Sequence, residues 1–267
     1  MNTKSSTTFR YLESHEVFTL AEFTADVDPT VSERTSYTNL QNAVARGQAY
    51  RLHRGLYASN LGVYRDRVPN VYLVGAKTAD DAVLTHHTAL EAHGVAHTPL
   101  RTVYFASAHK VVDFEVRGYR FHRVAPPSVS DPSATLGEYV TRLRAGEAVV
   151  PVSTKERTLV DCLSDLPFAG GLEELLRSLG GFTSMSAAHV ARYAGLLDSP
   201  TLVARAGWVL DHFADRWRVD RPALEGMRES LGRGTYRLLP GSDSQRFVSR
   251  WRLYVPADMP FEEWTRG

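Results

Sequence analysis

Residues Ser32 to Ser59 constrain this chain more than any other stretch, because they spell a helix, its stop and a tight two-strand turn in immediate succession. Tyr37, Leu40 and Val44 recur at the three-to-four spacing of a buried helical face. Gly47 supplies the left-handed conformation that ends such a helix, and Gly55 stands where a hairpin turn needs a positive φ. Upstream, Thr19-Leu-Ala-Glu22 is a capping box, with Phe18 and Phe23 at the two positions of a hydrophobic staple. That pattern predicts a short helix from about Leu20 to Asp26 ahead of the longer one. Two helices followed by a ribbon predict a winged helix-turn-helix, a DNA-reading fold.

With the apolar stripe turned inward, Arg34, Thr35, Thr38, Asn39 and Asn42 point elsewhere, and all five are groove-reading residue types. Arginine forks onto guanine, asparagine pairs bidentately with adenine, and hydroxyls bind phosphates or base edges. Ser32 and Arg46 extend this set at the two ends of the helix, while Arg51, His53 and Arg54 stand on the polar edge of the ribbon. The helix from about Ser32 to Arg46 is therefore expected in the major groove, with the ribbon on phosphates or the adjacent minor groove. Charge is sorted accordingly. Met1 to Glu33 carries a net −4, whereas Arg34 to Arg67 holds six arginines against Asp66 alone, a net +5. Clustered positive charge matters more for phosphate binding than the whole-chain value of +1. The competing expectation is a structural helix and hairpin that cap a larger domain, with their arginines merely solvated.

The remainder of the 267 residues, 43% hydrophobic, suffices for a second and larger domain. A boundary is expected near residues 76 and 77, giving a DNA-binding domain over 1–76 and a mixed α+β domain over 77–267. Cys162 excludes an internal disulfide and, framed by Leu159, Val160 and Leu163, reads as a buried structural thiol. No apolar run has bilayer-spanning length and the amino-terminal residues form no hydrophobic signal segment, so a cytoplasmic location and no membrane partner are expected.

Along the second region, Val71 to Gly75 reads as a last strand of the first domain or as a packed linker. Thr85 to Gly94 predicts a short helix, Val103 to Ser107 a strand, and Phe114 to Val124 a hairpin turning about Arg117-Gly118. Pro126 to Ser133 is a loop, and Pro151 argues that the strand Ala148 to Val152 lies at an edge or a strand end. Ser153-Thr-Lys-Glu156 reads as a second capping box, with Arg157 and Asp161 as an i to i+4 ion pair worth roughly 0.3 kcal/mol, structural rather than catalytic. Helices are expected over Leu172 to Leu179, Ser186 to Leu197, from Ser199 through Trp217, and over Pro222 to Leu231. Finally Phe247 to Val255 alternates as a strand, inside a basic segment with Arg228, Arg233, Arg237, Arg246, Arg250 and Arg252.

Two clusters would suit an enzyme. His86, His87, His93 and His97 lie close in sequence, but Gly94 breaks the helix between the last two and no ligand set is completed, so neither metal nor cofactor is expected. Asp113 and Glu115 share a strand face, as in some metal-dependent nucleases, yet the lysine that usually follows is absent. No phosphate-cradling loop, serine elbow or nucleophile with a base is found, so a non-enzyme is expected. A module that only binds another protein is the remaining alternative.

Three runs resemble the AbiEi-type antitoxins of type IV toxin-antitoxin systems. They are Val17 to Phe23 with Leu40, Gly47 and Arg54-Gly-Leu-Tyr57; Thr88-Ala-Leu-Glu-Ala-His-Gly94; and Glu156 to Cys162 followed by Ala169 to Leu175. Together they span most of residues 17 to 180, while the last 60 residues match less clearly. The resemblance implies a winged helix that represses its own promoter, a larger antitoxin domain, and a role in phage defence. It also implies a nucleotidyltransferase toxin as the functional partner, opposed with or without a stable complex. Repressors of this geometry usually need two half-sites, so a homodimer, or two copies, on an inverted repeat of double-stranded DNA is expected.

Overall fold

The computed structural model describes residues 3–27, 29–128, 137–241 and 244–265. The fold is mixed α+β. In chain order its elements are α1 (Thr3–Ser14), β1 (Val17–Thr19), α2 (Leu20–Val27), α3 (Glu33–Ala45), β2 (Ala49–His53), β3 (Leu56–Ser59), α4 (Val71–Ala76), β4 (Val83–Leu84) and α5 (His86–Ala92). Five strands follow: β5 (Thr102–Ala106), β6 (Phe114–Val116), β7 (Tyr119–Val124), β8 (Val140–Ala145) and β9 (Ala148–Ser153). Then come α6 (Lys155–Ser164), α7 (Leu172–Leu179), α8 (Ala187–Leu196), α9 (Pro200–His212), α10 (Arg221–Ser230), β10 (Tyr236–Arg237), β11 (Gln245–Val248), β12 (Leu253–Pro256) and α11 (Phe261–Thr265). They form two compact units, one of Met1–Val83, Arg101–Val124 and Arg144–Val150, the other of Leu84–Leu100, Ala125–Leu143 and Pro151–Gly267. A cut along the chain at 76 and 77 thus differs from the division by packing, because strands after that point return to the first unit.

In the first unit the capping box forms as written: Thr19 N donates to Glu22 Oε2 at 2.8 Å and Glu22 N to Thr19 Oγ1 at 3.1 Å. Lys77 Nζ binds the other Glu22 oxygen at 2.6 Å. Burial pushes the Glu22 carboxyl up, but these bonds outweigh it and hold it below its ordinary value. Phe18 and Phe23 stack at 5.9 Å, and Tyr11 of α1 meets both edge-on at 5.2 and 5.3 Å. Such pairs add about 0.5–1.5 kcal/mol each beyond the area they bury. Leu12 of α1, Leu40 and Ala43 of α3, Ala49, Tyr57 and Leu61 complete this core. The strand order β1-β3-β2 is antiparallel throughout, with β3 buried along its whole length between its neighbours. β5 and β7 pair in parallel from Thr102–Arg120 to Ala106–Val124, and β6 returns antiparallel through Arg117 and Gly118, both at positive φ as the turn requires.

Several expectations are corrected. Val71 to Gly75 is the helix α4, not a strand: the Asn70 side chain accepts from Tyr72 N and Leu73 N, and a short apolar run has no period of its own to decide between the two. The amino-terminal helix α1 had no sequence expectation at all. Tyr37 is exposed, because the stripe of α3 buries Ser36, Leu40 and Ala43 instead. The loop expected over Pro126 to Ser133 lies outside the described residues from 129 onward.

In the second unit α6 carries an unbroken buried run from Glu156 to Leu163. Its cap is Thr154, whose hydroxyl accepts from Arg157 N, so Glu156 cannot be the reciprocal arm and instead receives Ser186 N at 3.2 Å. Ser153, one residue early, pairs with the Thr158 hydroxyl at 2.7 Å. Pro151 sits inside β9, which stands between β4 and β8 rather than at an edge. The alternating run Phe247 to Val255 is two strands, β11 and β12, separated by a 3-10 turn at Ser249–Trp251 and by Arg252 in the left-handed conformation. Trp251 packs where a Cβ on Gly207 would come within 2.0 Å of its ring, so α9 must be bare at that position. Among the described residues no helix is long and apolar enough to cross a membrane.

Candidate nucleic-acid interface

Because the core of the first unit takes Ser36, Leu40 and Ala43, the opposite side of α3 is left to solvent, and Arg34, Thr35, Thr38, Asn42 and Arg46 are all exposed on it. Asn39 is half-buried on the flank of the helix rather than at its outward centre. Ser32 is the N-cap: its hydroxyl accepts from Thr35 N at 3.3 Å and lies 3.1 Å from the Thr35 hydroxyl, so its first task is to start the helix. The Thr38 hydroxyl donates to the Arg34 carbonyl at 2.9 Å, which leaves the oxygen able only to accept from an incoming group. Glu33 is the acidic residue of α3, placed at its first turn, where it complements the helix dipole.

The ribbon follows directly. Strands β2 and β3 pair from Ala49–Ser59 to His53–Leu56, so only Arg54 and Gly55 form the turn, and a bulge falls between Arg51 and His53. Gly55 has φ +74°, which relieves the strain that a side chain would impose. Arg54 is exposed at the tip, and Arg51, also exposed, bends back so that its Nε donates to the His53 carbonyl at 3.1 Å. His53 behaves differently from expectation. It is half-buried with its ring 4.5 Å from that of Phe114, and burial, then Arg51, pushes its pKa down. A neutral imidazole in that position contributes no positive charge toward phosphates.

Three residues join this surface that the sequence did not assign to it. Exposed Tyr37 and the arginines Arg51 and Arg54 line a cleft of about 510 Å³ between the start of α2, the first turns of α3 and the ribbon. Gln41 Nε2 donates to the Tyr57 hydroxyl at 3.4 Å, next to that cleft. Arg117, at the tip of the β6–β7 turn, lies over the Tyr50 ring at 5.5 Å and adds positive charge beside the ribbon. Only the first two had a signal in the sequence, Gln41 as an adenine-reading type and Tyr37 as an aromatic, while Arg117 reaches the ribbon by tertiary folding alone.

The alternative chemical sites are differently occupied. Asp113 Oδ2 receives Arg120 at 2.6 Å and His122 Nδ1 at 2.8 Å. Those bonds outweigh partial desolvation and hold the Asp113 carboxyl below its ordinary value. Glu115 is exposed and stands opposite Arg120 in the hairpin. His87 lies between Glu91 and Glu174, and His93 reaches the Ser153 carbonyl at 2.9 Å. Among the described residues no group of three or more histidine, cysteine, aspartate or glutamate side chains is placed to hold a metal ion. The Cys162 thiol is fully buried and burial raises its pKa well above the ordinary value, so it is an unreactive core group.

No family model matches the chain, and no curated protein matches it. Its fold is similar to that in the crystal structure of the RV2827C protein from Mycobacterium tuberculosis, with a TM-score of 0.62 over 96% of this chain and 92% of that one, at 14% identity. At that identity the likeness is one of fold.

Proposed function

We propose that the first unit is a winged helix-turn-helix that binds double-stranded DNA, with α3 in the major groove and the β2–β3 ribbon on the backbone or in the adjacent minor groove. The observation that carries this reading is the outward side of α3. It sets Arg34, Thr38 and Asn42 on one exposed face, beside a ribbon tipped by exposed Arg51 and Arg54. A purely structural cap has no need to collect groove-reading side chains and exposed arginines on one side. In this reading His53 buttresses the ribbon against Phe114 instead of touching DNA, and Tyr37 and Gln41 join the reading face.

The biological role then follows the resemblance: an autorepressor of its own promoter and an antitoxin opposing a nucleotidyltransferase, with two copies on an inverted repeat. A gel-shift titration on the upstream region tests the DNA part. Arg34→Ala with Asn42→Ala is expected to weaken specific binding by about 1–3 kcal/mol for each base that is no longer read, while leaving non-specific binding in place. Unchanged promoter affinity in that double variant would remove α3 from the groove.

A further inference from the structure

The carboxy-terminal residues form a small sheet, in the order β10-β12-β11, whose two faces differ in kind. Inward, Leu253 and Val255 are fully buried with Leu238 and Trp251, and Tyr236 packs against the same core. Outward, strand pairing sets Arg237, Tyr254 and Phe247 in a single row across all three strands. The Arg237 guanidinium lies 5.5 Å over the Tyr254 ring, and the Tyr254 and Phe247 rings are 4.9 Å apart. Phe247 is 44% exposed, so its ring is open to an incoming group.

The charges around this row are not equivalent. Arg228 and Arg250 are neutralised by Glu225, Glu229 and Asp211. Arg237 instead donates to the neutral Gln245 amide at 2.6 Å, and Arg252 to the backbone carbonyls of Gly234 and Arg233. Among the described residues the acceptors of these two side chains are neutral, and such acceptors fix the direction of a guanidinium without cancelling its field, so the aromatic row is flanked by oriented positive charge.

We propose that this outer face is a stacking platform for the unpaired bases of a single-stranded nucleic acid, separate from the duplex-binding side of the first unit. Adjacent strands hold the two rings side by side with their planes inclined at 44°, so that the exposed Phe247 ring offers its face to a base beside the Tyr254–Arg237 pair, while Arg237 and Arg252 meet the flanking phosphates. An apolar protein partner would leave both guanidinium groups desolvated and unmatched, whereas a polynucleotide supplies aromatic faces and negative charge together.

The test is fluorescence anisotropy of the full chain with short labelled oligodeoxyuridylate and oligouridylate, which differ only at the sugar. Both are expected to bind, and a preference for either identifies the sugar that is read. Phe247→Ala is expected to weaken binding about tenfold, equivalent to about 1.4 kcal/mol for one missing stack, and Phe247→Tyr to restore it. Thermal melting of Phe247→Ala should match the parent, since the ring is on the surface. Loss of oligonucleotide binding in Arg34→Ala with Arg54→Ala would place it on the first unit and overturn the proposal. So would the absence of binding, indifference to Phe247→Ala, or displacement by polyglutamate as effective as by unlabelled oligonucleotide.

Discussion

Helices α3 and α6 are built from similar proportions of polar and charged residues, and the fold treats them in opposite ways. α3 buries only Ser36, Leu40 and Ala43 of its thirteen residues and turns arginine, threonine and asparagine to solvent. α6 buries eight of its ten, among them Glu156, Arg157, Thr158 and Asp161. The buried polar groups of α6 are therefore bound to one another or to residues packed around the helix. Asp161 receives Arg157 Nε at 3.0 Å, the Tyr193 hydroxyl at 2.6 Å and the Thr85 hydroxyl at 3.1 Å. Burial pushes the Arg157 pKa down, yet Asp161 outweighs it and the net direction is upward; Tyr193 is raised, first by burial and then by Asp161. A helix whose polar side is satisfied internally holds a fold together, and one whose polar side is left open is available to a partner.

The largest effect expected from this contrast is on stability. Asp161→Ala leaves Arg157 buried without its counter-charge and should cost about 3–5 kcal/mol, seen as a large drop in denaturation midpoint. Arg34→Ala and Asn42→Ala, on exposed positions of α3, should each stay within about 0.5 kcal/mol of the parent. Equal midpoints for Asp161→Ala and Arg34→Ala would dissolve the distinction between the two helices.

A second buried cluster sharpens it through pH. His87 is fully buried, with Nε2 3.2 Å from Glu174 and Nδ1 3.5 Å from Glu91. Burial pulls its pKa down, but the two carboxylates outweigh burial and the net shift is upward from 6.5. For Glu174 burial is likewise outweighed, here by the Thr98 backbone N–H and by His87 and Ser178, and the net shift is downward from 4.5. A raised histidine stabilises fully below its unfolded pKa and loses that contribution as pH rises through the folded value. A lowered carboxylate stabilises fully above its unfolded pKa and loses it as pH falls through the folded value. The cluster therefore stabilises most between 4.5 and 6.5, the unfolded values of the two groups. His87→Gln should cost about 1.5–3 kcal/mol at the acidic end of that profile and progressively less toward alkaline pH. Melting curves across the range check it; a constant difference between variant and parent would mean that His87 is uncharged in the fold.

How much of this could be read in advance depends on whether a signal is local. The Thr19–Glu22 box, the Gly47 and Gly55 stops, the Arg117-Gly118 turn and the Ser199 cap are each decided by residues a few positions apart, and each is present. The cap near Ser153 falls one position later than its spacing suggests, because Ser153 and Thr154 offer two overlapping cap registers, and the local bond of Ser153 to Thr158 together with the long-range bond of Glu156 to Ser186 selects between them. The same limit explains Arg157 and Asp161. Their spacing announces an ion pair, but whether it is solvated or enclosed depends on Tyr193 and Thr85, far away along the chain. On the candidate interface, Arg34, Thr38, Asn42 and Arg54 are legible from helical and hairpin periodicity. Weighting an aromatic over serine turns Tyr37 inward, although Ser36 keeps better phase with Leu40 and Ala43. His53 cannot be read without Phe114, which comes from a strand much later in the chain.

The smallest effect separates charge from shape within the interface itself. Arg54 and His53 are neighbours on one turn, but Arg54 is exposed at the tip whereas His53 is turned against Phe114 and held neutral. If Arg54 meets a phosphate, Arg54→Ala releases one fewer condensed counterion on binding. The slope of log affinity against log salt should then flatten by about one unit, with little change in sequence preference. His53→Gln carries no such charge change and should leave the slope where it was, lowering affinity only as far as the ribbon loosens. A slope that responds to His53→Gln as strongly as to Arg54→Ala would mean that the imidazole is charged on DNA, and that the ribbon turns it outward on binding.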